Sequence, residues 1–202
     1  MRRQKTINRQ RHKVGSVVKT IVSDMTKAAR ENGPLFRFLS VGFLGYLAWH
    51  LAYTFYLRDH TLMDEYVIHN LVVMSEWTMT QLGWDVLDLF SPGAFRNRLG
   101  LVGGQGLVVG VSCDGMALFA LFSIFVLAYP GRPLHKIWYM PLGVATVHFA
   151  NYLRVMALMW IQVYWPESLD FNHHYTFTVL VYGVIFLLWY IWAVKIVGDK
   201  GI

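Results

Sequence analysis

The chain has 202 residues, 55% of them apolar and only 15% charged, which is too poor in charge for an ordinary soluble domain and normal for a multi-pass membrane protein. A single cysteine excludes an internal disulfide and a multi-cysteine metal site. The net charge of +6 is concentrated at the N-terminus: residues 1–37 hold ten Lys and Arg against Asp24 and Glu31. Beside an apolar span, such an arm marks the cytoplasmic side and touches anionic headgroups, so membrane lipids rather than nucleic acid are its expected partner.

In chain order, residues 13–30 place Val14, Val17, Val18, Ile21, Val22 and Met25 at helical spacing, with Lys19, Asp24 and Lys27 mostly opposite. This predicts an amphipathic helix on the inner membrane face, ended by Gly33-Pro34. Residues 1–34 are thus expected to be a basic cytoplasmic arm, and 35–202 a polytopic membrane domain. No cleaved signal peptide is expected at the start. Leu35 to Leu57 is an apolar run long enough to span a bilayer, with Arg58-Asp59-His60 emerging outside.

Residues 64–90 carry Asp64, Glu65, His69, Glu76, Asp85 and Asp88, too many ionisable groups for a comfortable span. They are read as an extracytoplasmic amphipathic helix, with a poor transmembrane helix as the alternative. Residues 97–112 flank Gly103-Gly104 with short apolar stretches, which predicts a small hairpin or extended loop leading into Cys113.

Three further apolar runs follow, from about Ser112 to Ala128, Ile137 to Tyr164 and Tyr175 to Val197. The basic loop GRPLHK at 131–136 lies inside by the positive-inside rule, and the acidic loop PESLDFNHH at 166–174 lies outside. The expected fold is an all-α integral membrane bundle of about four to six spans, both termini inside. Tryptophans and tyrosines near the span ends, such as Trp138, Trp165 and Tyr190, read as interface belts.

Ionisable residues inside spans are functional candidates because each costs free energy to bury. Arg154 is one, and Asn151, three residues before it, shares its helix face. Counting at 1.5 Å per residue from the cytoplasmic ends puts Cys113 at about 24 Å, Arg154 at about 26 Å and His174 at about 32 Å. All three lie near the outer edge of a core about 30 Å thick. A thiolate is a nucleophile favoured by a nearby cation, a histidine moves protons near neutral pH, and an arginine serves as charge or oxyanion partner. Alone, a cysteine in an apolar run reads as packing; its company here points to acyl transfer through a thioester. His50, His69 and His148 read as interfacial or packed. A metal site of Cys113, His173 and His174 is the alternative use of the same residues, awkward because adjacent helical residues diverge by about 100°.

At VSCDGMALF around Cys113, NYLR with Asn151 and Arg154, and NHHYTFTVLVYG with His173 and His174, the sequence resembles the exosortase/archaeosortase family of membrane transpeptidases. The resemblance covers roughly residues 70–195. It implies a multi-span fold in the cytoplasmic membrane of a prokaryote, with a Cys, Arg, His set facing outward. It further implies cleavage of a C-terminal sorting signal (a short motif, hydrophobic helix and basic tail) and transfer of the substrate protein to an acceptor, without metal or cofactor. By that resemblance Cys113 is the nucleophile, Arg154 the anion-stabilising residue, and His173 or His174 the acid/base. The family's small residue four on and aromatic eight on favour His174, with Thr178 and Tyr182. Asn151, Asp114 and Gly115 take supporting places. Asp114 departs from the small residue common there, and its charge should oppose a thiolate. A non-enzymatic transporter or scaffold is the alternative function, with Arg154 lining an anion path.

Overall fold

In a computed structural model, residues 33–87, 89 and 95–198 are described, together with the isolated positions 19 and 23. The expected basic arm and the amphipathic helix of 13–30 therefore lie outside the described residues, apart from Lys19, Ser23, Gly33 and Pro34. The chain divides into two compact units, Met1–Phe43 and Leu44–Ile202. The second holds both cores and the candidate site.

The fold is predominantly helical. Helix α1 runs from Gly33 to His60 and includes a wide π-helical stretch, Tyr53–Leu57. Helix α2 is Met63–Gln81, α3 is Met116–Ala128, α4 is Pro133–Tyr164 and α5 is the continuous helical segment Pro166–Val197. Three of these, α1, α4 and α5, are long and apolar enough to cross a membrane. Their side chains support this: Phe43, Phe55 and Val179 are 69%, 74% and 72% exposed. A row of such side chains is stable only in an apolar solvent. The chain is a membrane protein on this evidence.

Three expectations of extent are corrected. The helix expected over 64–90 stops at Gln81, because Gly83 turns the backbone to φ 84° and only a glycine adopts this freely. Residues 85–87 then run beside the hairpin, with Leu87 N–H donating to Gly100 O and Val102 N–H to Asp85 O, both at 2.8 Å. The span expected from Ser112 begins four residues later. At 13 residues, α3 measures about 20 Å, short of a hydrocarbon core about 30 Å thick. Among the described residues there are thus three full-length apolar helices and one shorter apolar helix, α3. Finally, the external loop 166–174 is helical. Pro166 sits at the first helical position, and Glu167 and Asp170 lie in early turns, where carboxylates suit the positive end of the helix dipole.

The hairpin is present as two short antiparallel strands, β1 (Arg98–Leu99) and β2 (Leu107–Val108), paired Arg98↔Val108 and Leu99↔Leu107. It packs its fully buried Leu99 and Leu101 against Ile68, Val72 and Met79 of α2 and Val155 and Met159 of α4. A second core joins α3, α4 and α5 through Phe122, Val126, Tyr139, Val147, Ile185 and Trp192. Helix α4 belongs to both. Its residues 139–147 face the second core and 155–159 the first, leaving Asn151 and Arg154 at the junction. Hydrogen bonds fix its orientation: Tyr139 Oη donates to Leu188 O at 2.7 Å, Tyr152 Oη to Thr78 Oγ1 at 2.7 Å, and Gln162 Nε2 to Gly106 O at 2.6 Å. Gly143 lets α3 approach closely, since a Cβ there would stand 2.0 Å from Phe122 Cζ.

Candidate active site

Cys113 ends a single 3₁₀ turn, Val111–Cys113, between the hairpin and α3. The turn closes with Cys113 N–H donating to Gly110 O at 2.8 Å. Gly115 then takes φ 89°, a left-handed conformation that redirects the chain into α3. Its carbonyl accepts the first helical bonds, from Leu118 and Phe119 N–H at 2.9 Å. The glycine thus sets the angle between the cysteine turn and the helix, and only a residue without Cβ does so cheaply.

From α4, Asn151 is 1% exposed and donates Nδ2–H to the Cys113 carbonyl at 2.6 Å. One turn on, Arg154 Nη2 lies 4.0 Å from Cys113 Sγ and donates to the carbonyl of His173 at 3.3 Å. From α5, His173 Nε2 is 3.1 Å from Cys113 Sγ. An imidazole and a guanidinium from two separate helices therefore both reach the Cys113 sulfur. At this distance a thiol proton can pass directly to the ring nitrogen, with the guanidinium beside the anion that would result.

The two histidines separate cleanly. The sequence pattern favours His174, but the structure turns that ring away. Its Nδ1 lies 3.0 Å from Asp170 O and 3.1 Å from Asp170 Oδ1, and the side chain is 60% exposed. Both histidines lie in a π-helical stretch, Asn172–Thr176, and of the two it is His173 that reaches Cys113. His174 keeps a place on the cavity wall with Thr178 and Tyr182. Because His174 points away from the sulfur, Cys113, His173 and His174 do not converge on one ion, and the metal alternative loses its geometry. Among the described residues no cluster of three or more His, Cys, Asp or Glu has the arrangement of a metal site.

Asp114 is 2% exposed. Its Oδ1 accepts the Met116 N–H at 2.8 Å at the first turn of α3. Burial, reinforced by the Asp64 carboxyl beside it and opposed by the amides of Met116 and Gly115, pushes its carboxyl up to about 7. Beside the cluster is a cavity of about 620 Å³ whose wall includes Tyr53, Arg58, Asp114, Arg154 and His173. Tyr53, Arg58 and Asp64 escaped sequence reasoning. Tyr53 lies in the run read as a span, Arg58 in the stretch read as emerging outside and Asp64 in the segment read as an outer helix, and nothing in one sequence pairs them with Cys113.

Against known proteins, no family model, no curated protein and no solved structure matches this chain.

Proposed function

We propose that this chain is a membrane-embedded cysteine transpeptidase of exosortase/archaeosortase type, which cleaves a C-terminal sorting signal of exported proteins and transfers them to a cell-surface acceptor. The observation that carries this reading is the 3.1 Å contact of Cys113 Sγ with His173 Nε2, flanked by Arg154.

Cys113 gives its thiol proton to His173 and attacks the scissile carbonyl, forming a C–S bond. Arg154 steadies the tetrahedral oxyanion. Collapse breaks the C–N bond, and His173 returns the proton to the departing amine. The thioacyl enzyme is then attacked by an acceptor amine, or by water, whose proton returns through His173 to the sulfur. Exclusion of water from the thioacyl enzyme would favour transfer over hydrolysis. A substrate's hydrophobic C-terminal helix lies beside the spans, with its scissile bond at the level of Cys113.

By the positive-inside rule the basic N-terminal residues favour a cytoplasmic start for α1, and Arg132, His135 and Lys136 favour the same side for the start of α4. One return crossing is then required between α1 and α4, and α3 supplies it despite its length. Lys136 supports that assignment by capping the end of α3, Nζ donating to Leu127 O at 2.7 Å and Tyr129 O at 2.8 Å. The site then faces outward. Trapping tests the reading: membranes holding the wild-type chain, treated with hydroxylamine, release a C-terminally modified protein, whereas Cys113→Ala membranes release none. Equal release from both would sink the proposal, and anion flux surviving Cys113→Ala would favour a transporter.

A further inference from the structure

The residue directly after the proposed nucleophile is an aspartate, and its position is chemically awkward. An ionised Asp114 adds negative charge next to a sulfur that works as an anion. Its Oδ1 is occupied by the Met116 N–H, while its Oδ2 is buried with no hydrogen-bond partner. Against it lies the carboxyl of Asp64 from α2, itself only 5% exposed. Both oxygens of Asp64 stand 3.0 Å from one donor, the Tyr53 hydroxyl on α1. Two buried carboxyls therefore meet, four oxygens in all, with one phenol and the amides at the start of α3 as their donors. Two carboxylates in such contact do not both ionise.

We propose that Asp64 and Asp114 share a single proton, held between Asp114 Oδ2 and Asp64, so that residue 114 is uncharged while Cys113 works. Tyr53 donates to the Asp64 end of the pair. The same proton ties α2 to the turn that carries Cys113, which makes Asp114 a positioning residue. The proposal rests on Cys113 being the reactive group.

The surroundings agree. Burial and the neighbouring Asp64 together raise the Asp114 carboxyl to about 7. The charged and titratable groups on the adjoining cavity wall are Tyr53 and Arg58 from α1, Arg154 from α4, and His173 and His174 from α5. Arg154 is directed to Cys113 and His173. Among the described residues neither arginine forms an ion pair with Asp64 or Asp114.

Infrared difference spectroscopy of the full chain in lipid nanodiscs tests this at about pH 6, below the raised carboxyl. A protonated-carboxyl band is expected in the wild type and in Cys113→Ala, and its loss in both Asp64→Asn and Asp114→Asn. Absence of the band from the wild type, or its survival in either Asn variant, overturns the shared proton. Because Cys113→Ala retains the band, the outcome is independent of whether the chain is a transpeptidase. A second readout is the rate at which iodoacetamide alkylates Cys113 at the same pH. Asp114→Asn is expected to stay within about twofold of wild type, because an amide resembles the protonated acid. Asp64→Asn is expected to slow alkylation about tenfold, because the remaining carboxyl then ionises beside the sulfur. An Asp114→Asn protein that reacts about tenfold faster than wild type would show that Asp114 is normally charged, and overturns the proposal.

Discussion

Asn151 donates its side-chain amide to the backbone carbonyl of Cys113 at 2.6 Å, from one helical turn before Arg154. Helix α4 thereby fixes both the backbone of the cysteine and the charge beside its sulfur. Replacing Asn151 with Leu leaves a buried carbonyl unpaired, at a cost of about 1–3 kcal/mol. A lower thermal midpoint and slower alkylation of Cys113 are expected together. A loss of stability with unchanged alkylation would separate Asn151 from the site.

His173→Ala is expected to reduce thioester formation by about 10²- to 10⁴-fold, the range for losing a general acid–base. His174→Ala is expected to change it only a few-fold, since its ring rests on Asp170. Hydroxylamine trapping compares the two directly. The opposite ranking would mean that the turn at Asn172–Thr176 rearranges when substrate binds.

Arg154→Lys should fail to rescue activity. The guanidinium reaches Cys113 Sγ and the His173 carbonyl at once, and a lysine ammonium lacks the planar fork to serve both. A loss of about 10²- to 10³-fold is expected, the scale of one oxyanion donor. The measurement is the trapping yield at matched protein levels.

Stability should depend on pH through Asp114. Its folded value, about 7, is raised above the ordinary 3.8. The protonated acid thus favours the folded state; its contribution is fully present below about pH 3.8 and is lost as pH rises through about 7. Thermal midpoints in detergent are expected to fall across that window in the wild type relative to Asp114→Asn. Parallel curves for the two proteins would refute this.

Gly143→Ala drives a methyl into the Phe122 ring, and overpacking of this kind costs about 1–3 kcal/mol. A lowered thermal midpoint is expected. Trapping per folded molecule should be nearly unchanged, because Gly143 lies two turns of α4 from Asn151.

The long apolar helices were legible in the sequence because a run of apolar residues has few other solutions, and the hairpin because Gly103-Gly104 punctuates it. Ends were harder. The apolar run at Ser112 hides a helix start at Met116, which depends on the left-handed Gly115. The polar run 166–174 looks like a loop, yet its acids and its proline suit the first turns of a helix. Counting depth brought Cys113, Arg154 and the histidine pair to one level, and the structure joins Cys113, Arg154 and His173. It could not choose between neighbouring histidines, because a π turn leaves no mark in composition. Asp64 and Asp114 are 50 positions apart, and only the packing of α2 against the cysteine turn brings them together.

The wide turn at Asn172–Thr176 has a consequence for how this site tolerates change. It acts as a vernier on α5: the angular setting of each histidine depends on how many residues precede it in the turn. Deleting one residue upstream in α5 rotates the downstream helix by about 100° relative to its start. The imidazole offered to the sulfur is thus selected by backbone phase as much as by side-chain identity. Length variation just before Asn172 should be far less tolerated than substitution there.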